Sequence, residues 1–156
     1  MSLHDLCVLI VHLLLIGIGC WLLVIDARTH RLPNRIVLPT LGGLTALVVV
    51  EALATGAGDR MLRAMLGGLV LGGFYAALHL ASRQGMGGGD VKLAAVIGIA
   101  LAWHSWTVLM LGAAAAFLLG ALYALVLMAL RRAGPKTRIA FGPWMILGAA
   151  LAIAVG

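Results

Sequence analysis

The sequence predicts an all-α integral membrane protein, a bundle of about six transmembrane helices, and three observations predict it. The chain is 63% hydrophobic and only 10% charged, with a mean hydropathy of +1.14, far more apolar than a soluble domain. Its apolar residues fall into segments that approach the roughly 20 residues a spanning helix needs. Its basic residues gather in alternate breaks between those segments.

The first segment, 6–25, follows Met1-Ser2-Leu3-His4-Asp5, which lacks the positive flank of a secretory signal. No small-residue cleavage site follows it, since Trp21-Leu22-Leu23-Val24-Ile25 is bulky throughout, so it reads as a retained helix. Cys7 and Cys20 lie inside it without Cys-x-x-Cys spacing. They read as packing residues, which argues against a disulfide framework or a cysteine zinc site. Segments 36–54 and 61–81 follow. The fourth, 91–105, is short, and His104-Ser105 between Trp103 and Trp106 is the polar break that separates it from 106–130; paired tryptophans suit the water interface. The sixth segment is 139–155. No stretch is long or polar enough for a soluble domain, so residues 1–156 read as a single membrane-embedded domain.

A net charge of +6 could suit nucleic acid, but its distribution points to the lipid bilayer. Assigning the breaks alternately to two sides puts Arg28, Arg31, Arg35, Arg83, Lys92, Arg131, Arg132, Lys136 and Arg138 on one face and leaves Arg60 and Arg63 on the other. By the positive-inside rule the first face is cytoplasmic and both termini lie outside. No nucleic-acid partner is expected, and the location implied is the cytoplasmic membrane, multi-pass. The assignment requires that 91–130 hold two helices. Helix association in lipid relies on small residues that let backbones approach, and they recur at four-residue spacing: Ala64, Gly68, Gly72, Ala76; Ala94, Gly98, Ala102; and Gly112, Ala116, Gly120, Ala124. Each set forms one stripe on a helix, and the packing reading suffices for them.

Only five acidic residues exist in the chain, and two stand at the ends of apolar segments on the same expected side. Asp26 ends the first. Asp90 closes Gly85-Met86-Gly87-Gly88-Gly89-Asp90 and opens the fourth, and a carboxylate in such a place is a functional-site candidate. The glycines give backbone freedom and let another chain come close. Two carboxylates brought together share a proton. The ionised member can take a proton from an attacking water while the protonated one supports the carbonyl oxygen and the leaving amine, which is peptide hydrolysis without a metal. Other readings stay open from spacing alone. Asp90 can cap its helix, Arg28 or Arg31 can neutralise Asp26, and the pair can serve as structural ions or a transport-type site. A P-loop would need the Gly-Lys-Ser/Thr ending that is missing here.

Gly87-Gly88-Gly89-Asp90-Val91-Lys92-Leu93, Asp26-Ala27-Arg28-Thr29-His30-Arg31-Leu32-Pro33-Asn34 and Ile139-Ala140-Phe141-Gly142-Pro143 together resemble three elements of the type IV prepilin peptidases, membrane aspartyl proteases with a Gly-x-Gly-Asp signature. In the third element alanine stands where the family usually has a first proline. The resemblance implies that Asp26 and Asp90 are catalytic at the cytoplasmic membrane surface, with Gly87, Gly88, Gly89, Lys92, Arg31, Pro33 and Asn34 in substrate-binding or supporting places. It implies prepilins or pseudopilins as substrates, cut after a short basic leader, and neither metal nor cofactor. Longer members carry a cytoplasmic domain with zinc-binding cysteines and methylate the new N-terminus with S-adenosylmethionine. Nothing in these 156 residues resembles that domain, so the expectation is the short, peptidase-only type, with archaeal preflagellin peptidases a related possibility.

His12 and His79 lie within apolar helices and read as packed, hydrogen-bonded residues. Glu51, Asp59 and Arg60 fall near the outer loop, and Trp21 and Trp144 complete an aromatic belt with Trp103 and Trp106. The competing function is a small transporter or assembly factor with Asp26 and Asp90 as ion or proton sites. Such proteins favour midplane acids and internal repeats, whereas both acids here lie at one edge and the halves show no convincing repeat. The mobile character of a glycine run further suggests an aspartate pair that is apart at rest and closes on substrate.

Overall fold

A computed structural model describes residues 34–81, 87–131 and 141–156. They form five helices, α1 (Asn34–Thr55), α2 (Gly58–Ala81), α3 (Gly88–His104), α4 (Trp106–Ala129) and α5 (Gly142–Val155), with no strand among the described residues. The first expected segment, 6–25, lies outside them. The other five expected segments each correspond to one helix, and 91–130 holds two helices, as the charge assignment requires. The chain is thus an all-α, multi-pass membrane protein: Ile36–Thr55, α2 and α4 are long and apolar enough to cross a bilayer. Its outer surface fits that solvent. Leu53, Leu69, Leu118 and Leu125 are exposed, as side chains are that face lipid tails rather than water.

The helix ends follow from local chemistry. α1 closes with Gly56 at φ +69° and the Ala57 N–H donating to the Ala52 carbonyl at 3.0 Å, a left-handed turn that glycine adopts without a Cβ penalty. Pro39 sits inside α1, where it removes one backbone donor. Between α3 and α4 a single extended residue, Ser105, receives both jobs. Its N–H donates to the Leu101 carbonyl at 3.2 Å, and its hydroxyl accepts from the Val108 N–H at 3.0 Å, an N-cap that starts the next helix.

α3 is the centre of the bundle and packs against all four other described helices. Its buried residues, Asp90, Leu93, Ala94, Val96, Gly98, Ile99, Leu101 and Ala102, run around the whole cylinder, the pattern of a helix enclosed by protein. The small-residue stripes explain how the neighbours reach it. A Cβ on Gly68 would stand 2.6 Å from the Ile99 side chain, and one on Gly72 would stand 3.2 Å from the Ala95 Cβ. Across α4 and α5, a Cβ on Gly148 would meet the Gly112 carbonyl oxygen at 2.7 Å. Gly67 and Gly148 belong to these contacts as fully as the residues of the expected stripes, because each faces a small residue on its partner helix.

Far from Asp90, the start of α2 and the end of α3 are tied by Arg63. Its Nε donates to the Ala102 carbonyl at 2.7 Å, and its Nη2 donates to the Trp103 and His104 carbonyls at 2.9 Å each. These are carbonyls that the end of α3 leaves without helical partners, and the cation also opposes the negative end of the helix dipole. Arg63 therefore does more than mark a side of the membrane.

Candidate active site

Asp90 sits in the first turn of α3, two residues inside the helix. The helix begins at Gly88 rather than at the expected 91, so Gly88 and Gly89 are helical and not part of a connecting loop. The reason is a reciprocal cap: the Asp90 Oδ2 accepts from the Gly87 N–H at 3.1 Å, while the Asp90 N–H donates to the Gly87 carbonyl at 3.1 Å. The acid satisfies one of the orphan donors at the helix start and is favoured by the positive end of the dipole. Gly87 itself is extended, at φ −77° and ψ 146°.

Capping is therefore real, yet it does not account for the location. Asp90 is only 7% exposed and is the one charged side chain buried among the described residues. A carboxylate has about four acceptor positions, so one bond to the Gly87 N–H leaves capacity for other partners. The approach side is open backbone: Gly87 and Gly88 are exposed, and a Cβ on Gly88 would meet nothing within 4 Å.

The antiparallel pairing of α2 and α3 determines what else lies at this end. Gly67 faces Gly98, and Gly72 faces Ala95; the next turn of α2 then brings Tyr75 level with the start of α3. Tyr75 is 1% exposed and lies within electrostatic reach of the Asp90 carboxylate. Its ring packs 5.7 Å from that of Phe117 on α4 and 5.9 Å from that of Phe141, which are themselves 5.2 Å apart. Phe74 closes the cluster edge-on at 5.9 Å from both Tyr75 and Phe117. Phe141 also lies over Gly120, where a Cβ would stand 2.8 Å from the ring. Phe141 thus packs on the one tyrosine ring that is buried at the Asp90 end of the α2–α3 pair.

Of the residues singled out in the sequence, Gly87, Gly88, Gly89, Asp90 and Lys92 lie together at the start of α3, with Lys92 half-buried. Asn34 opens α1. Asp26, Arg31 and Pro33 lie outside the described residues, as do Gly85 and His12. His79 is half-buried in the last turn of α2, and Trp144 packs on Tyr123 with ring centroids 4.8 Å apart. Sequence reasoning overlooked Tyr75 and Phe117. A signal existed, since the chain has just three phenylalanines and two tyrosines, and all three phenylalanines join Tyr75 in one cluster.

The type IV leader peptidase family model matches residues 13–130, which include the whole Gly87–Asp90 cap and the expected Asp26 segment. The chain is 34% identical over 142 residues to the prepilin leader peptidase/N-methyltransferase of Aeromonas salmonicida, covering 87% of this chain and 47% of that protein. It is 33% identical over 133 residues to the protein of the same name in Pseudomonas aeruginosa, covering 85% and 44%, and 35% identical over 148 residues to that of Dickeya chrysanthemi, covering 90% and 49%. The chain spans about half the length of these curated relatives. No solved structure matches it. A buried, glycine-flanked aspartate at the start of a central membrane helix is thus set within a match that covers most of the sequence, and the chain belongs to the type IV leader peptidase family.

Proposed function

We propose that the chain is a membrane aspartyl endopeptidase that removes the short basic leader from type IV prepilins or pseudopilins. The observation that carries this reading is Asp90: buried, capped by the Gly87 N–H and approached over bare glycine backbone, in a member of a leader peptidase family. Asp26 is its partner in the dyad. One aspartate is ionised and takes a proton from water as the water oxygen bonds to the scissile carbonyl carbon. The other, protonated, steadies the carbonyl oxygen and then gives its proton to the amine as the carbon–nitrogen bond breaks. Gly87, Gly88 and Gly89 admit the substrate strand, and Lys92, Arg31, Pro33 and Asn34 support the dyad or the leader. Residues 1–156 act as one domain, with the site at the cytoplasmic surface of the inner membrane, where a basic leader would remain before cleavage.

The test is to co-express a panel of prepilins with the wild type, Asp26→Asn or Asp90→Asn and to read the mass of the pilin N-terminus. Leader loss with the wild type alone supports the dyad. Cleavage that persists in either variant removes that aspartate from the mechanism, and an inserted wild type that cleaves nothing favours an ion or proton site. The same masses show whether a methyl group is added, the second activity in the relatives' names.

A further inference from the structure

We propose that Tyr75 is a positioning residue for Asp90, its phenol held against the carboxyl end of the site by a ring stack anchored on Phe141. The inference rests on the peptidase reading of Asp90 and goes beyond it. Three features of the structure converge on it.

The first is register. Gly72 packs on Ala95, Tyr75 follows Gly72 by three residues and Asp90 precedes Ala95 by five, so antiparallel pairing carries both to the same end of the α2–α3 interface. The second is burial. Tyr75 at 1% and Asp90 at 7% exposure are the two most enclosed hydrogen-bonding side chains described at that end, whereas Lys92 and His79 are only half-buried. A hydroxyl withdrawn from water is costly unless it finds a polar partner, and the carboxylate lies within its electrostatic reach. The third is immobility. Rings on α4 and at the start of α5 pack against Tyr75 at 5.7 and 5.9 Å, which restricts how far the phenol can swing.

A phenol is a donor at any pH below about 10. Placed here, it is a fixed dipole on the same buried end of the helix pair as a carboxylate already held by the Gly87 N–H, and its field bears on how that acid is held. Packing alone would need only a ring, and phenylalanine would serve equally well. The arrangement also gives Phe141 a function, since it fixes the ring that orients the acid.

The deciding measurement is steady-state cleavage of a prepilin by purified, detergent-solubilised wild type and Tyr75→Phe, together with their thermal midpoints. Loss of positioning should lower kcat about tenfold or more with KM within about twofold and the midpoint unchanged. A Tyr75→Phe enzyme with wild-type kcat overturns the proposal and leaves Tyr75 a packing ring. Incorporating 3-fluorotyrosine at position 75 covers a Phe variant that does not accumulate. Ring and hydroxyl are kept while the phenol becomes more acidic, so kcat should change by about twofold or more at constant KM, and an unchanged kcat again overturns the proposal. A wild type without cleavage would instead sink the peptidase reading and this inference with it.

Discussion

Gly98 and Gly67 meet across α2 and α3 so closely that a Cβ on Gly98 would stand 2.5 Å from the Gly67 carbonyl oxygen and 2.9 Å from the Gly68 Cα. Backbone lies on the far side of that contact, so no rotamer change can relieve it. Gly98→Ala should therefore force the helices apart and cost about 1 to 3 kcal/mol, the usual penalty of overpacking. Gly73, on the same helix as Gly67 but with nothing within 4 Å of its would-be Cβ, is the control. Gly73→Ala should be neutral or stabilising by about 0.5 to 1 kcal/mol. Denaturation midpoints of the two variants in detergent check the contrast, and equal effects would mean that helix propensity alone is being measured.

Arg63 ends α3 from a neighbouring helix through three bonds of 2.7 to 2.9 Å. Arg63→Ala should lose about 1 to 3 kcal/mol, the range for hydrogen bonds to a charged group with a share of solvent. Arg63→Lys should recover only part of it, because one ammonium cannot reproduce the guanidinium fork. Thermal midpoints of both variants provide the check. An Arg63→Lys protein as stable as the wild type would reduce the contact to simple charge.

Much of this architecture was legible in the sequence because lipid imposes a length and a polarity on every span. The segments 36–54, 61–81 and 106–130 needed only residue counts, and the break at His104-Ser105 showed because that pair between tryptophans is the one polar interruption there. The stripes Ala64–Gly68–Gly72 and Ala94–Gly98–Ala102 were visible as periodicity. Their pairing was not, since a stripe of small residues does not say which other stripe it meets. Asp90 was conspicuous as an acid in an apolar chain, but its cap was misplaced by three residues: glycines at 88 and 89 look like loop until a carboxylate at the third helical position secures the turn. Tyr75 was overlooked for a different reason. Its importance comes from Phe117 and Phe141 on other elements, and no local pattern reports that.

Ser105 starts α4 through one side-chain bond, the hydroxyl accepting from the Val108 N–H at 3.0 Å. Ser105→Ala should cost about 1 kcal/mol, while Ser105→Asp or Ser105→Asn should restore most of the loss, because each offers an oxygen to the same donor. Hydrogen exchange at Val108 is the local readout. Faster exchange in Ser105→Ala, reversed in Ser105→Asn, is the expected pattern, and unaltered exchange would show that the backbone holds this turn without the hydroxyl.

The two roles of Asp90 can be separated because they need different things from the side chain. Capping needs an oxygen that accepts from the Gly87 N–H, and an amide oxygen supplies one. The proposed hydrolysis needs a group that can exchange a proton, and an amide cannot. Asp90→Asn should therefore keep its thermal midpoint close to that of the wild type while prepilin cleavage disappears. Asp90→Ala should lose cleavage and also about 1 kcal/mol of stability, the typical worth of a helix-start cap. If Asp90→Asn were instead destabilised by several kcal/mol, the charge itself would be structural, since removing one member of a buried pair strands the other. Measuring midpoint and cleavage on the same preparations therefore distinguishes a capping acid, a structural ion and a catalytic acid that also caps its helix.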